Sequence, residues 1–210
     1  QEAISPSDFQ DWQEQNTVFE KMSAFTVSNV NITGNGDPEY VAGAAVSEHF
    51  FDILGVEAEQ GRLFLPGENE PGNDRVAVIS HELWQRRYSE DPGFLGTTLS
   101  LNGKNTIVVG ILPADYRYPI DQDLWTPLVL TTDQLADRSS RTIGAMALLS
   151  DISSKEEAQT VMTTIVSRIA ESYPDTHKGW NVYIQSLREQ MGDEITTAFS
   201  YTLFGAVIFV

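Results

Sequence analysis

The part of this chain that comes nearest to a known catalytic motif is HELWQ, residues His81 to Gln85. A histidine at the fifth position would complete H-E-x-x-H, in which two imidazoles one helical turn apart bind zinc and the glutamate activates water. Glutamine is a poor replacement for an imidazole ligand, and the chain has only 3 histidines. A metal-dependent hydrolase that uses His81 and Glu82 with a distant carboxylate therefore stays a minor alternative.

Other candidate sites for chemistry are weaker. Ser80 precedes His81 without the G-x-S-x-G turn that exposes a nucleophilic serine. The loop LPGENEPGND contains Glu68, Glu70 and Asp74, whose carboxylates could bind calcium weakly, but it lacks the ligand order of an EF-hand. We expect an exposed acidic loop there, and we predict no catalytic, metal-binding or cofactor-binding residues.

A structural role explains the HELWQ segment better than catalysis does. Leu83, Trp84 and Tyr88 recur at helical spacing, which predicts a short helix over His81–Tyr88 with these side chains on its buried face. The opposite face would contact water or an acidic neighbour, and it consists of His81, Glu82, Arg86 and Arg87.

Composition limits the classes of function. The chain has 210 residues, and its hydrophobic fraction of 41% is enough for a sizeable core. Its 30 acidic against 13 basic residues give a net charge of −17, which disfavours binding to nucleic acid. There is no cysteine, so disulfides, thiolate zinc sites and cysteine nucleophiles are excluded within these residues.

The N-terminal quarter of the chain predicts a helix, a hairpin and a second helix. Ser5 and Pro6 suit the start of a helix, and Phe9, Trp12, Phe19 and Met22 fall on one broad arc, which predicts that this helix continues to Met22. Alternating segments on either side of GNGDP predict two strands joined by a turn. The segment SEHFFDILG predicts a short helix that begins at its first serine and ends at its glycine.

The remaining elements favour an α+β fold. From Val56 the sequence is rich in short strands, and Asn102-Gly103 is a strong hairpin signal. A buried strand, TIGAMALL, precedes an amphipathic helix that ends before Pro174, and WNVYIQSL predicts a final strand. The outer segments therefore predict one α+β layer with a β-rich insertion between its halves.

Residues 195–210, with sequence ITTAFSYTLFGAVIFV, contain no charged side chain. They are fewer than the roughly 20 residues that span a bilayer as a helix. Two interpretations stay open: the start of a transmembrane helix, which we favour, or a buried helix or strand of the domain itself.

Four segments taken together resemble the periplasmic core domain of MacB-type ABC transporter permeases, a family related to FtsX-type permeases. They are VSEHFFDILGV, GRLF, VISHELWQRRY and LNGKNTIVVGILP, in the family's order and spacing. The resemblance covers residues 4–130 by motif and the remainder by the order of elements.

The resemblance implies two subdomains and an adjacent membrane anchor. A porter-like α/β sandwich would comprise residues 1–54 and 139–194, and an inserted β-rich subdomain of the Sabre type would comprise residues 55–138. Residues 195–210 would begin a transmembrane helix, so that the domain lies in the periplasm or outside the cell, attached to the bacterial inner membrane.

The resemblance also implies a role without catalysis. In such transporters a cytoplasmic ATP-binding subunit or domain hydrolyses ATP, and a homodimer or heterodimer of permeases transmits the conformational change to its extracytoplasmic domains for efflux of a substrate. A periplasmic adaptor protein is a further implied partner. The alternative from a different class is a periplasmic module that binds or senses a ligand or lipoprotein.

Overall fold

The computed structural model describes residues 3–34, 36–116, 118–119, 121–191 and 206–209. The helices in this part of the chain are α1 Pro6–Gln15, α2 Phe50–Leu54, α3 His81–Tyr88, α4 Thr132–Ala136, α5 Lys155–Ser172, α6 Pro174–His177 and α7 Leu187–Met191. The strands are β1 Phe19–Thr33, β2 Glu39–Val46, β3 Gln60–Gly61, β4 Val76–Ile79, β5 Thr98–Leu101, β6 Lys104–Ile111, β7 Leu124–Pro127, β8 Gly144–Leu149, β9 Ile184–Ser186 and β10 Ala206–Phe209. The predicted α+β class is confirmed, with parallel and antiparallel strand pairs in the same sheet.

The chain forms two compact units, each assembled from separate segments. Unit 1 contains residues 1–24, 49–55 and 130–210, and unit 2 contains residues 25–48 and 56–129. The hairpin around GNGDP was predicted to belong with the N- and C-terminal segments, but it belongs to unit 2 in the structure. Its strand β2 pairs with β7, and this pairing accounts for the difference.

Unit 1 is a layer of helices on a short sheet. Its strand order is β1–β8–β10–β9, and β10 is antiparallel to both of its neighbours. Helix α1 packs on α4 and α5, α2 contacts β8, and α5 contacts β9. The spacing of α5 predicts an apolar face of Ala158, Val161, Met162, Ile165 and Ile169. The structure buries these side chains except Val161, which is half-buried, and it also buries Val166.

Unit 2 is a sheet whose strand pairings close into a ring. The order β2–β7–β4–β6–β5–β1 returns to its start because β1 pairs with both β5 and β2. The predicted Asn102-Gly103 hairpin joins β5 to β6, and both turn residues have positive φ, as a type I′ turn requires. Helix α3 inserts Leu83 and Trp84 into the core of this unit.

The first helix is shorter than predicted. Helix α1 ends at Gln15, and Phe19 and Met22 lie in β1 instead of continuing the helical face. The side chain of Asn16 explains the end of the helix, because its Oδ1 accepts hydrogen bonds from the backbone N–H groups of Val18 at 2.9 Å and Phe19 at 2.6 Å. Asparagine favours such local turns over helix continuation.

Two other predicted boundaries differ in detail. Helix α2 begins after His49, not at Ser47, and its predicted end at Gly55 is confirmed by a left-handed backbone with φ of 63°. The predicted final strand is reduced to β9, which pairs with β10. At its start the backbone bonds to a side chain instead: the Val182 carbonyl accepts from Gln159 Nε2 at 2.8 Å, and the Ile184 N–H donates to Gln159 Oε1 at 2.9 Å.

Most of the uncharged segment 195–210 lies outside the described residues. Its described part, Ala206–Phe209, is a strand between β8 and β9, where the favoured interpretation had a transmembrane helix. The other interpretation, a strand of the domain, agrees with these four residues. Among the helices that the structure describes, none is both long and apolar enough to cross a membrane.

Candidate functional site

Helix α3 holds the HELWQ segment as the sequence predicts, with Ser80 as its cap. The Ser80 hydroxyl accepts a hydrogen bond from the Leu83 backbone N–H at 3.0 Å. Leu83 and Trp84 are buried, and the indole N–H of Trp84 donates to the Asp91 carbonyl at 3.2 Å. The interpretation of this segment as a packing helix is confirmed.

His81 lies between two glutamate carboxylates, and these three side chains do not have the geometry of a metal site. Its Nδ1 lies 2.8 Å from Glu59 Oε2, and its Nε2 lies 3.8 Å from Glu90 Oε1. Across the described ranges, no three His, Cys, Asp or Glu side chains are grouped closely enough to hold a metal ion. The hydrolase alternative based on His81 and Glu82 therefore gains no support.

Three charged side chains attach the outer face of α3 to the hairpin in unit 2. The Glu39 carboxylate accepts from Arg86 Nη2 at 2.6 Å and from Arg87 Nη1 at 2.8 Å. Arg86 also contacts Asp123 at 3.2 Å, and Arg87 donates to the Asp37 carbonyl at 2.7 Å. Both arginines thus face acidic neighbours, which is one of the two environments that the helical pattern predicts.

The pKa of Glu39 reflects this pairing. Partial burial alone would raise the pKa of Glu39, but the hydrogen bonds and charges of Arg87 and Arg86 outweigh burial and lower it. The carboxylate is therefore ionised throughout the neutral range and holds both guanidinium groups.

A shallow cavity of about 370 Å³ lies beside α3 in unit 2. Its lining residues are Ser80, Glu82, Arg86, Asp121, Gln122 and Asp123. The volume is at the small end for ligand pockets, which also have mostly apolar walls, whereas these walls are polar and acidic. The ligand-binding alternative therefore obtains only weak support from it.

In the acidic loop that could have bound calcium, Glu68 forms an ion pair with Arg62. Both Glu68 oxygens contact the Arg62 guanidinium, at 2.7 and 2.9 Å, and Glu68 Oε2 also accepts from the Leu65 backbone N–H at 2.8 Å. Burial would raise the pKa of Glu68, but these hydrogen bonds lower it. Glu68 thus shapes the loop, and residues 70–73 are exposed turn residues, in agreement with the expected exposed acidic loop.

A cluster of buried and half-buried charged side chains lies in unit 1 around Asp8. Asp8 Oδ1 lies 2.8 Å from His177 Nε2 and 3.3 Å from Arg138 Nη1, and Asp8 Oδ2 lies 3.2 Å from Arg141 Nη1. Arg138 also contacts Asp11 at 2.6 Å. We call Asp8, Asp11, Arg138, Arg141 and His177 the Asp8 cluster.

The Asp8 cluster is largely shielded from water. Asp8 and His177 are each 3% exposed. The Arg138 guanidinium stacks 4.0 Å from the ring centre of Tyr173, and the Arg141 guanidinium stacks 3.8 Å from that of Trp180. These half-exposed rings cover the arginines, so the ion pairs act in a medium of reduced dielectric constant.

The Asp8 cluster was not predicted from the sequence. Asp8 could be read as an acidic residue in the first turn of a helix, where it is common. Arg138 and Arg141 lie in a polar connection, and His177 follows a helix end, more than 160 residues from Asp8. No local pattern predicts a contact at that separation.

Comparison with known families identifies most of the chain. The family model described as the MacB-like periplasmic core domain matches residues 1–165. The chain has no significant match among curated proteins.

Several solved structures share the fold at low sequence identity. The periplasmic region of MacB from Actinobacillus actinomycetemcomitans is 14% identical, with a TM-score of 0.64 over 84% of this chain and 78% of that one. The extracellular domain of the noncanonic ABC-type transporter YknZ from Gram-positive bacteria is 11% identical, with a TM-score of 0.61 over 82% and 85%. A domain of a putative permease from Porphyromonas gingivalis is 16% identical, with a TM-score of 0.62 over 84% and 76%.

Proposed function

The chain belongs to the family of MacB-like periplasmic core domains of ABC-type transporter permeases, and from this premise we propose that it transmits ATP-driven conformational change to the export of a substrate. The match of the family over residues 1–165 is the observation that carries the proposal. The domain itself performs no chemistry in this account, and efflux of the substrate depends on movement of the domain.

The proposed partners and location follow from the same family. The domain lies in the periplasm or outside the cell, and its flanking segments anchor it to the bacterial inner membrane. Two permease copies, identical or different, associate with a cytoplasmic ATP-binding subunit or domain, and a periplasmic adaptor is a further partner. The porter-like and Sabre-like subdomains of the family remain part of this proposal.

The internal connections of each unit support a mechanical role. A domain that transmits movement must resist internal deformation, and buried ion pairs restrict the relative orientation of the elements that they join. The Asp8 cluster joins α1, the segment before β8 and α6. In unit 2, Glu39 joins α3 to the β1–β2 hairpin.

Site-directed labelling tests the proposed location. These 210 residues contain no cysteine, and Ile152 is 94% exposed, so Ile152→Cys creates a specific accessible thiol. In the full-length protein with other cysteines removed, a membrane-impermeant maleimide added to intact cells with a permeable outer envelope should label this thiol. Leu83→Cys, at a fully buried position, is the matched control and should remain unlabelled until denaturation.

Two outcomes would contradict the proposed location. One is labelling of Ile152→Cys only after the inner membrane is disrupted, which would place the domain in the cytoplasm. The other is recovery of the full-length protein in the soluble fraction.

A further inference from the structure

We propose that the Asp8 carboxylate fastens α1 to the segment before β8 and to α6, so that these three parts of unit 1 move as one body during the transport cycle. The inference rests on the proposed function, because it assigns a mechanical task to residues inside the moving domain. Asp8 acts as a positioning residue in this account.

The fastening joins segments that are distant in sequence. Asp8 lies in the first turn of α1, Arg138 and Arg141 lie between α4 and β8, and His177 ends α6. The Asp8 carboxylate therefore contacts three residues that lie 130, 133 and 169 positions away in the sequence. Removing it would affect all three connections together.

Neighbouring contacts hold the same end of α1. The Ser7 hydroxyl donates to the Leu135 carbonyl at 2.6 Å, and the Ile4 backbone N–H donates to the Ile143 carbonyl at 2.8 Å. These contacts attach α1 to the chain around Arg138 and Arg141 but not to α6. The contact between Asp8 and His177 connects α1 directly to α6.

His177 is oriented by a second hydrogen bond. Its Nδ1 lies 2.7 Å from the Thr176 hydroxyl, and its Nε2 lies 2.8 Å from Asp8 Oδ1. Both ring nitrogens are engaged, so the imidazole is fixed in position and α6 follows Asp8. Arg141 adds a further connection, because its Nη2 donates to the Thr176 carbonyl at 3.1 Å.

Ion pairs suit this task better than apolar packing alone. Apolar contacts have no strong directional preference and allow helices to slide by small amounts, whereas charge-assisted hydrogen bonds fix distance and angle. The Tyr173 and Trp180 rings over the two guanidinium groups limit competition from water. The orientation of α1 within unit 1 is therefore set by the Asp8 cluster.

Spin-label distances within one protomer test the fastening. Gln10 on α1 and Glu171 on α5 are exposed, and cysteine labels there report the position of α1 relative to the helix that leads into α6. The full-length permease, with its ATP-binding partner, would be measured without nucleotide and with trapped ATP, with labelled protomers diluted by unlabelled ones. The wild-type sequence should give one narrow distance that is the same in both states.

Asp8→Asn should broaden this distribution without nucleotide and shift its mean when ATP is trapped. Asp11→Asn is the matched control, since it removes one partner of Arg138 but leaves Asp8 with its three donors, and it should behave like the wild type. Should Asp8→Asn fail to fold, His177→Leu removes the direct contact between Asp8 and α6, leaves both arginines in place and should give the same shift to a smaller extent.

Three results would overturn the fastening. They are a nucleotide-dependent distance in the wild type, a wild-type distribution in folded Asp8→Asn, and a wild-type distribution in His177→Leu. Failure of the proposed function can be distinguished from failure of the fastening. If the proposed function is wrong, labelling of Ile152→Cys would show a cytoplasmic location, or the full-length protein would be soluble. Asp8→Asn would still broaden the distance distribution without nucleotide.

Discussion

At the scale of single residues, several charged side chains in this protein connect elements of the fold. Asp8, Glu39 and Glu68 each bind one or more arginines, and His81 lies between two glutamates. A carboxylate that is already paired with guanidinium groups is a poor general base or metal ligand, because its charge is neutralised and its lone pairs are used. These residues therefore support a mechanical interpretation more than an enzymatic one.

The most destabilising conservative change that we predict is Asp8→Asn. It removes the buried carboxylate that Arg138, Arg141 and His177 share, while Arg138 keeps Asp11, so the free energy of unfolding should fall by about 3 kcal/mol. Urea unfolding followed by circular dichroism measures this loss. The control Asp137→Asn alters an exposed carboxylate that bonds only within its own turn, and a loss of similar size there would contradict the account.

Glu39→Gln should reduce stability in a pH-dependent manner. The pKa of Glu39 is below its ordinary value of 4.5 in the folded state, so its contribution is present at neutral pH and is lost as the pH falls from that value through the lowered pKa. The difference in unfolding free energy between wild type and Glu39→Gln should therefore be largest at neutral pH and shrink in acid.

Urea titrations at a series of pH values measure this difference. Glu70→Gln, at an exposed position in the same unit, serves as the comparison. A Glu39→Gln effect that stays constant down to strongly acid pH would rule out the ionised pairing as its source.

At the scale of elements, periodicity predicted most of the helices and strands. Helices α3 and α5, the β5–β6 hairpin and the β1–β2 hairpin were all predicted from spacing and turn residues. The end of α1 was missed because a single side chain, Asn16, overrides an apolar spacing that otherwise continues to Met22. The closure of β1 on both β2 and β5 has no local signal, since it depends on pairing over about 70 residues.

Candidate sites were harder to predict than elements. The sequence alone shows that HELWQ is not a complete zinc motif, because a metal site of this type needs ligands at fixed helical spacing. The Asp8 cluster could not be predicted, because its residues come from three segments whose approach depends on the whole of unit 1.

Gly110→Ala should displace β3 from β6. A Cβ at Gly110 would overlap the carbonyl oxygen of Arg62, which lies on backbone and cannot rotate away. The hydrogen bond from the Arg62 N–H to the Val109 carbonyl, 2.9 Å long, should then be lost. Amide hydrogen exchange at Arg62 measures this loss, and unchanged protection would contradict the close approach.

Gly93→Ala is the control for this prediction. Its added Cβ would meet only the Asp91 side chain, at 3.3 Å, and a side chain can move. Its effect on exchange at Arg62 should be negligible.

At the scale of the whole molecule, the acidic chain folds into two units that each have their own core. The MacB-like family assigns this fold to the extracytoplasmic part of a transporter permease. In the assembly proposed above, the ATP-binding part and this domain lie on opposite sides of a membrane, so a change of conformation would have to connect them. The central claim is that this domain moves when ATP binds.

The most direct test measures the distance between two copies of the domain in the assembled transporter. Spin labels at Ile152→Cys, one per protomer, would be measured in reconstituted full-length permease with its ATP-binding partner, without nucleotide and with trapped ATP. The account predicts a shift of the interprotomer distance between the two states, reversed after hydrolysis. Identical distance distributions in both states, in a preparation that hydrolyses ATP, would contradict it.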